Sequence, residues 1–138
     1  MKIIEINATQ TWPIRQEVMW PNEPISFVKL DDDMKGIHFG LYIDEKLISV
    51  ISLFITGASA QFRKFATLPS HQGKGLGTHL LNHVLTYASV QNIQEIWCNA
   101  RTEKASFYER FGMKSTKERF MKKGQEYVIM KKTLNAIY

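Results

Sequence analysis

Seven consecutive residues carry the clearest chemistry in this chain: Gln72-Gly73-Lys74-Gly75-Leu76-Gly77-Thr78. Alternating glycines let a backbone approach a ligand with no Cβ in the way. If a helix begins here, the N–H groups of its first turn lack intrahelical partners and point outward at the positive end of the dipole. Such a turn is a cradle for an anion, and for a pyrophosphate in particular. Lys74 is placed to add a charge-assisted contact to phosphate. Two familiar phosphate loops are excluded by spacing. A Walker loop requires Gly five residues before its Gly-Lys pair and Ser or Thr after it, where this chain has Leu68 and Gly75. The dinucleotide fingerprint fails at its last glycine, which falls on Thr78 when counted from Gly73 and on Leu80 when counted from Gly75.

The elements around the cradle follow from periodicity. Lys2 to Asn7 reads as a first strand, and Thr9 or Thr11 can cap a helix with Pro13 in its first turn, ended by Pro21 and Pro24. Pro21 to Gly36 is a long irregular connection that includes the triplet Asp31-Asp32-Asp33. His38–Ile43 and Lys46–Ile55 form a hairpin about an Asp44-Glu45 turn, and Gln61–Leu68 is a further strand stopped by Pro69. The period then changes to 3.6: Leu76, Leu80, Leu81, Val84, Leu85 and Ala88 line one face of a helix over Gly75–Val90. A strand over Ile93–Ala100 contains Ile96-Trp97-Cys98, which does not alternate and suggests cover on both faces. Thr102 caps a short helix to Arg110, Gly112 suits its left-handed end, and Met113–Met121 and Glu126–Leu134 close the chain as a hairpin. The expected fold class is α/β, a mixed sheet flanked by helices in the order β-α-β-β-β-α-β-α-β-β.

In this setting, Gln72-x-x-Gly75-x-Gly77 after a strand and Pro69 resembles the acetyl-CoA motif of the GCN5-related N-acetyltransferase (GNAT) family. Ala105-x-Phe107-Tyr108-Glu109-x-Phe111-Gly112-Met113 resembles a second segment of the same family, in the expected order. The resemblance covers about residues 38 to 133, and it implies a splayed sheet whose strands at Gln61–Leu68 and Ile93–Ala100 run parallel and part near their ends. It further implies acetyl-CoA as cosubstrate, with pantetheine along the backbone of Phe65, Ala66 and Thr67. Pyrophosphate would lie on the N–H groups of Gln72, Gly73, Lys74, Gly75, Leu76, Gly77 and Thr78. Asn99, Lys104 and Phe107 would border the thiol and pantetheine, and Arg110 could reach the adenosine phosphate. Tyr108 holds the position of the family's general acid, although periodicity alone reads it as a core aromatic beside Phe107 and Phe111. The implied reaction is direct transfer of an acetyl group to a primary amine of a small molecule or peptide. The alternative is a catalytically inactive CoA-binding regulatory module.

Other titratable residues are less determined. His38 and His71 could titrate near neutrality, and no general base is assigned. His79 and His83 lie one helical turn apart with no Glu at the second place and no third ligand, so no metal site is expected. Cys98 reads as a small hydrophobe on a buried strand. In the family, the first helix and the loop after it wall the acceptor. There Asp31–Asp33 would attract a cationic amine while Arg15 or Arg63 would suit a carboxylate, two suggestions that conflict.

Composition sets the frame. With 138 residues, 44% hydrophobic and 22% charged, the chain is expected to fold as a single domain over residues 1–138. Leu47 to Ile55, the longest apolar run, is interrupted by Ser49 and Ser52 and is far short of the ~20 residues that cross a bilayer. No membrane association is expected, and a cytoplasmic protein is. The net charge of +5 favours anionic partners, but the basic residues from Lys114 to Lys123 are broken by Glu118, so nucleic acid is not expected as a partner. Strand edges within Met113–Leu134 could pair in a homodimer.

Overall fold

The computed structural model describes residues 1–135, and its elements follow the expected order. They are β1 (Lys2–Ile6), α1 (Ala8–Met19), β2 (Ile37–Ile43), β3 (Lys46–Thr56), β4 (Ser59–Thr67), α2 (Leu76–Val90), β5 (Glu95–Arg101), α3 (Ala105–Glu109), β6 (Lys114–Lys122) and β7 (Gln125–Thr133). The strand order is β1-β2-β3-β4-β5-β7-β6. β1 with β2, β2 with β3, β5 with β7 and β7 with β6 pair antiparallel, whereas β4 and β5 run parallel. In two of the tight hairpin turns, Asp44-Glu45 and Lys123-Gly124, all four residues take positive φ. Paired left-handed residues match the twist of the strands that they join.

The chain packs as two units, one of Met1–Phe54 with Arg63–Val84 and the other of Ile55–Phe62 with the chain from Leu85 onward. In the first, Ile6, Ile14, Phe39, Leu41, Ile48, Val50, Ile51, Leu53, Leu80, Leu81 and Val84 are buried. They come from β1–β3, from α1 at Ile14 and from the apolar stripe of α2; on β3 consecutive residues from Ile48 to Leu53 are buried, so both of its faces are covered, and the N-terminus of α2 lies beside the end of β4. In the second, Ala60, Phe62, Ile96, Cys98, Ala100, Met113, Val128 and Met130 are buried. Along β5 burial alternates: Ile96, Cys98 and Ala100 are buried, Trp97 is half-buried and Asn99 is exposed. The Ile96-Trp97-Cys98 run therefore covers one face, correcting the expectation of two. β6 is an edge strand bearing exposed Lys114, Lys117, Arg119 and Lys122, a composition that opposes pairing with a like edge.

Two features of the first unit differ from the sequence reading. Asn7, not Thr9 or Thr11, is the N-cap of α1, and the Gln10 side chain accepts from its N–H at 2.8 Å. Thr11 lies inside the helix, where its hydroxyl donates to the Ala8 carbonyl. Pro13 is in the second turn on an exposed side, where water can satisfy the carbonyl that its missing N–H leaves open.

The second difference is larger. The connection after α1 contains 3₁₀ turns at Ile25–Val28 and Asp33–Lys35, and it is fastened from inside. Arg15, fully buried, donates to both carboxylate oxygens of Asp33 at 2.8 and 2.9 Å, to the Val28 carbonyl and to Ser52 Oγ. Asp33 also accepts from Trp12 Nε1 and from the Leu30 N–H. His38 completes the cluster, with Nδ1 2.6 Å from Ser52 Oγ and Nε2 2.8 Å from the Asp33 carbonyl. Since that carbonyl can only accept, Nε2 is the donor in that bond. Arg15 and Asp33 are thus spent on each other.

Burial raises the Asp33 carboxyl, but hydrogen bonds from Arg15, Leu30 and Trp12 and the Arg15 charge outweigh it, lowering the pKa from 3.8 to about 2. A folded value below the unfolded one stabilises the fold above pH 3.8, and this contribution is lost as pH falls toward 2. Asp33→Asn strands a buried guanidinium. It should cost about 3–5 kcal/mol and lower the thermal midpoint by roughly 10–17 °C at neutral pH. The difference from wild type should narrow as melting is followed below pH 3.8, and a constant difference would contradict the assignment.

Candidate active site

In the first unit the cradle is assembled from the end of β4 and the start of α2. Gly73 and Gly75 take φ of +76° and +78°, and a Cβ built on either meets nothing within 4 Å. Glycine is required at both for backbone conformation, not for space. Gly77 is the opposite case, since a Cβ there would lie 3.1 Å from Phe65 Cζ and 3.7 Å from Thr67 Oγ1. Phe65 and Thr67 thus face the first turn of α2. His79 donates to the Gly75 carbonyl at 3.3 Å, so the N–H groups of Gly75, Leu76, Gly77 and Thr78 precede the first intrahelical bond. Lys74 is exposed on this turn, and Leu76 and Thr78 are half-buried. Gln72 Nε2 donates to the Thr67 carbonyl at 2.8 Å, so its side chain ties the loop to the strand.

Ser49 was not singled out by sequence. It is buried on β3, donates to the Ala66 carbonyl at 3.0 Å and lies 2.8 Å from Thr67 Oγ1, fixing the strand that faces the cradle. The available signal was its place in the apolar run Leu47 to Ile55: a hydroxyl buried in a core strand must find a partner. Ser52, the other interruption, serves the Arg15–Asp33 cluster. A second missed feature is Lys64, whose φ of +56° inside β4 puts a left-handed residue in a strand. Side chains on either side of this kink meet different partners. Phe65 and Thr67 face α2, whereas Arg63 reaches Asp32 at 3.2 Å and lies over the Phe54 ring at 5.1 Å. Among the histidines of this unit, His38 is consumed in its buried cluster, His71 Nδ1 lies 2.8 Å from Ser70 Oγ, and exposed His83 packs its ring edge on Phe39.

The second unit carries the remaining residues. β4 pairs with β5 only over Ser59–Gln61, and β5 pairs with β7 along its whole length. Asn99 is exposed on β5 opposite Ile129, and Lys104 is exposed in the 3₁₀ turn that leads into α3. Phe107 and Tyr108 sit side by side on α3 with ring centroids 5.2 Å apart, and Tyr108 also packs against Phe62 at 5.8 Å. Arg110 lies over the Phe107 ring at 5.5 Å. Gly112, at φ +85°, ends this segment in the left-handed conformation expected. Cys98 is buried, and burial pushes its thiol up to about 12, which leaves it an unreactive thiol near neutrality.

Residues 22–134 match the family model described as an acetyltransferase (GNAT) domain. The chain is 29% identical to a Bacillus subtilis (strain 168) protein named uncharacterized N-acetyltransferase YitI, over 97% of each chain. Its fold superposes on the ribosomal-protein-S18-alanine N-acetyltransferase of Escherichia coli with a TM-score of 0.83 at 16% identity, covering 99% of this chain and 96% of the other. It also superposes on a GNAT family acetyltransferase from Elizabethkingia anophelis, solved with acetyl-CoA bound. There the TM-score is 0.75 at 14% identity, over 96% of this chain and 97% of that one.

Burial, with a smaller contribution from nearby Cys98, raises the Tyr108 phenol above its ordinary value of 10. The group stays protonated through neutral and mildly alkaline pH. Tyrosinate absorbance should therefore rise identically in wild type and Tyr108→Phe between about pH 9 and 11, where ordinary phenols ionise. A smaller rise in the variant over that window would mean that Tyr108 ionises normally.

Proposed function

This chain belongs to the GNAT acetyltransferase family, and we propose that it transfers an acetyl group from acetyl-CoA directly to a primary amine of a small molecule or peptide. The observation that carries this reading is the three-glycine turn at the head of α2, whose first-turn N–H groups precede the first intrahelical bond and whose Gly77 packs against Phe65 and Thr67 of β4. In this assignment the pyrophosphate rests on the N–H groups from Gln72 to Thr78 and Lys74 adds a charge. The pantetheine arm runs along Phe65, Ala66 and Thr67, while Asn99, Lys104 and Phe107 border its sulfur end. Among the described residues no helix is long and apolar enough to cross a membrane.

The chemistry needs three services. The acceptor must lose a proton before its nitrogen has a lone pair, and here that proton goes to water. The lone pair attacks the thioester carbon and the carbonyl oxygen becomes an oxyanion, for which backbone N–H groups near Phe65 to Thr67 are the donors. The oxyanion then collapses to the amide carbonyl as the carbon–sulfur bond breaks, the leaving thiolate takes the phenol proton of Tyr108, and the proton still carried by the new amide nitrogen is lost to water, from which Tyr108 is reprotonated. Burial keeps the phenol protonated at the pH of the reaction.

Acetyl-CoA at 100 times its dissociation constant adds ~2.7 kcal/mol to stability and should raise the melting midpoint by several degrees, with ATP and dephospho-CoA as controls. Absence of any shift at millimolar acetyl-CoA would mean that the glycine turn is only a turn. With an accepted amine, Tyr108→Phe should lower kcat on the order of a hundredfold while leaving acetyl-CoA affinity nearly unchanged. Equal turnover would remove Tyr108 from the mechanism. Binding without thiol release from any amine would favour the inactive CoA-binding module.

A further inference from the structure

The ion pair between Arg63 and Asp32 lies next to the stretch of β4 assigned to the acyl carrier. From the pyrophosphate end the assigned arm runs back along β4 from Thr67 to Phe65. Two residues farther, ~7 Å along a strand, comes Arg63. The left-handed φ of Lys64 separates the two positions, so Phe65 and Thr67 face the head of α2 while Arg63 faces Asp32 and Phe54.

This pair is fixed on both sides yet open to water. Asp32 adjoins Asp33, which the buried Arg15 holds. Arg63 lies over Phe54, whose ring crowds Gly36 so closely that a Cβ there would be 2.7 Å away. The side chains of Arg63 and Asp32 nevertheless keep 32% and 46% exposure. One guanidinium nitrogen, Nη1, reaches both Asp32 oxygens, at 3.2 and 3.3 Å, longer than a good charge-assisted hydrogen bond. Guanidinium donors and carboxylate lone pairs therefore remain to be used.

We propose that Arg63 and Asp32 are the acceptor-reading pair and that the acceptor is a zwitterion of the amino-acid class, its carboxylate on Arg63 and its ammonium on Asp32. This inference rests on the acyl-transfer reading above. It reconciles the acidic and basic features of this wall: a purely cationic amine leaves Arg63 opposed to it, a purely anionic acceptor leaves Asp32 opposed to it, and a zwitterion satisfies both. The pair governs capture, and the ammonium loses its proton to water before the nitrogen attacks.

The test is thiol release from acetyl-CoA with a panel of free α-amino acids, their carboxamides and their decarboxylated amines. The free amino acids should have the highest kcat/KM, exceeding the matched amides and amines on the order of tenfold or more. Arg63→Gln should collapse that preference to about unity by raising KM for the amino acids, and Arg63→Lys should restore part of it. Melting curves with acetyl-CoA, whose binding Arg63 does not serve, establish that each variant is folded. Acetylation of amines with no preference for a carboxylate, or a preference that survives Arg63→Gln, would overturn the inference and leave the acyltransferase reading standing. No thiol release from any acceptor would overturn both.

Discussion

At Lys64 the backbone of β4 passes through left-handed φ in the middle of a strand, and what the first unit offers for acyl transfer is arranged on either side of that residue. Past it, Phe65 and Thr67 meet Gly77 and close on the first turn of α2. Before it, Arg63 turns to Asp32 and Phe54. A non-glycine residue in this conformation is strained by roughly 1–3 kcal/mol and persists only where its surroundings hold it. Ser49 on the Ala66 carbonyl, the Leu68 N–H on the Ile48 carbonyl and Gln72 on the Thr67 carbonyl provide that restraint just downstream.

A second restraint comes from the buried Arg15–Asp33 pair. Taking two charges out of water is costly, so a buried pair is weak support for stability by itself. What it supplies here is definition. The carboxylate, both terminal guanidinium nitrogens, Ser52, His38 and Trp12 find partners in one arrangement of the connection after α1, although Arg15 Nε stays buried without one, and that arrangement sets Asp32 against Arg63. The connection from Pro21 to Gly36 thus has defined structure although it contains only two short 3₁₀ turns.

Much of this was legible in the residues. The order of the ten principal elements, the parallel placement of β4 and β5, the glycine turn at the head of α2 and the left-handed Gly112 all follow from periodicity, glycine spacing and the family resemblance that they carry. The pairing partners of charges were not legible, because Arg15 and Asp33 are 18 residues apart and no local pattern joins them. Nor was the kink at Lys64, where lysine gives no hint of a conformation that glycine or asparagine would have advertised. The serines at 49 and 52 interrupted the longest apolar run of the chain. They carried information as polar groups that a buried strand obliges to bond, and only the fold identifies what they bond to.

The proposed chemistry depends above all on backbone N–H groups at the head of α2 holding the phosphates of acetyl-CoA. Amide proton and nitrogen shifts of the folded protein, followed by NMR during titration with acetyl-CoA, address this directly. The largest changes are expected at Gly73, Gly75, Leu76, Gly77 and Thr78, with slowed exchange of those amides at saturation. Changes that leave these amides untouched and gather elsewhere in the chain would contradict it.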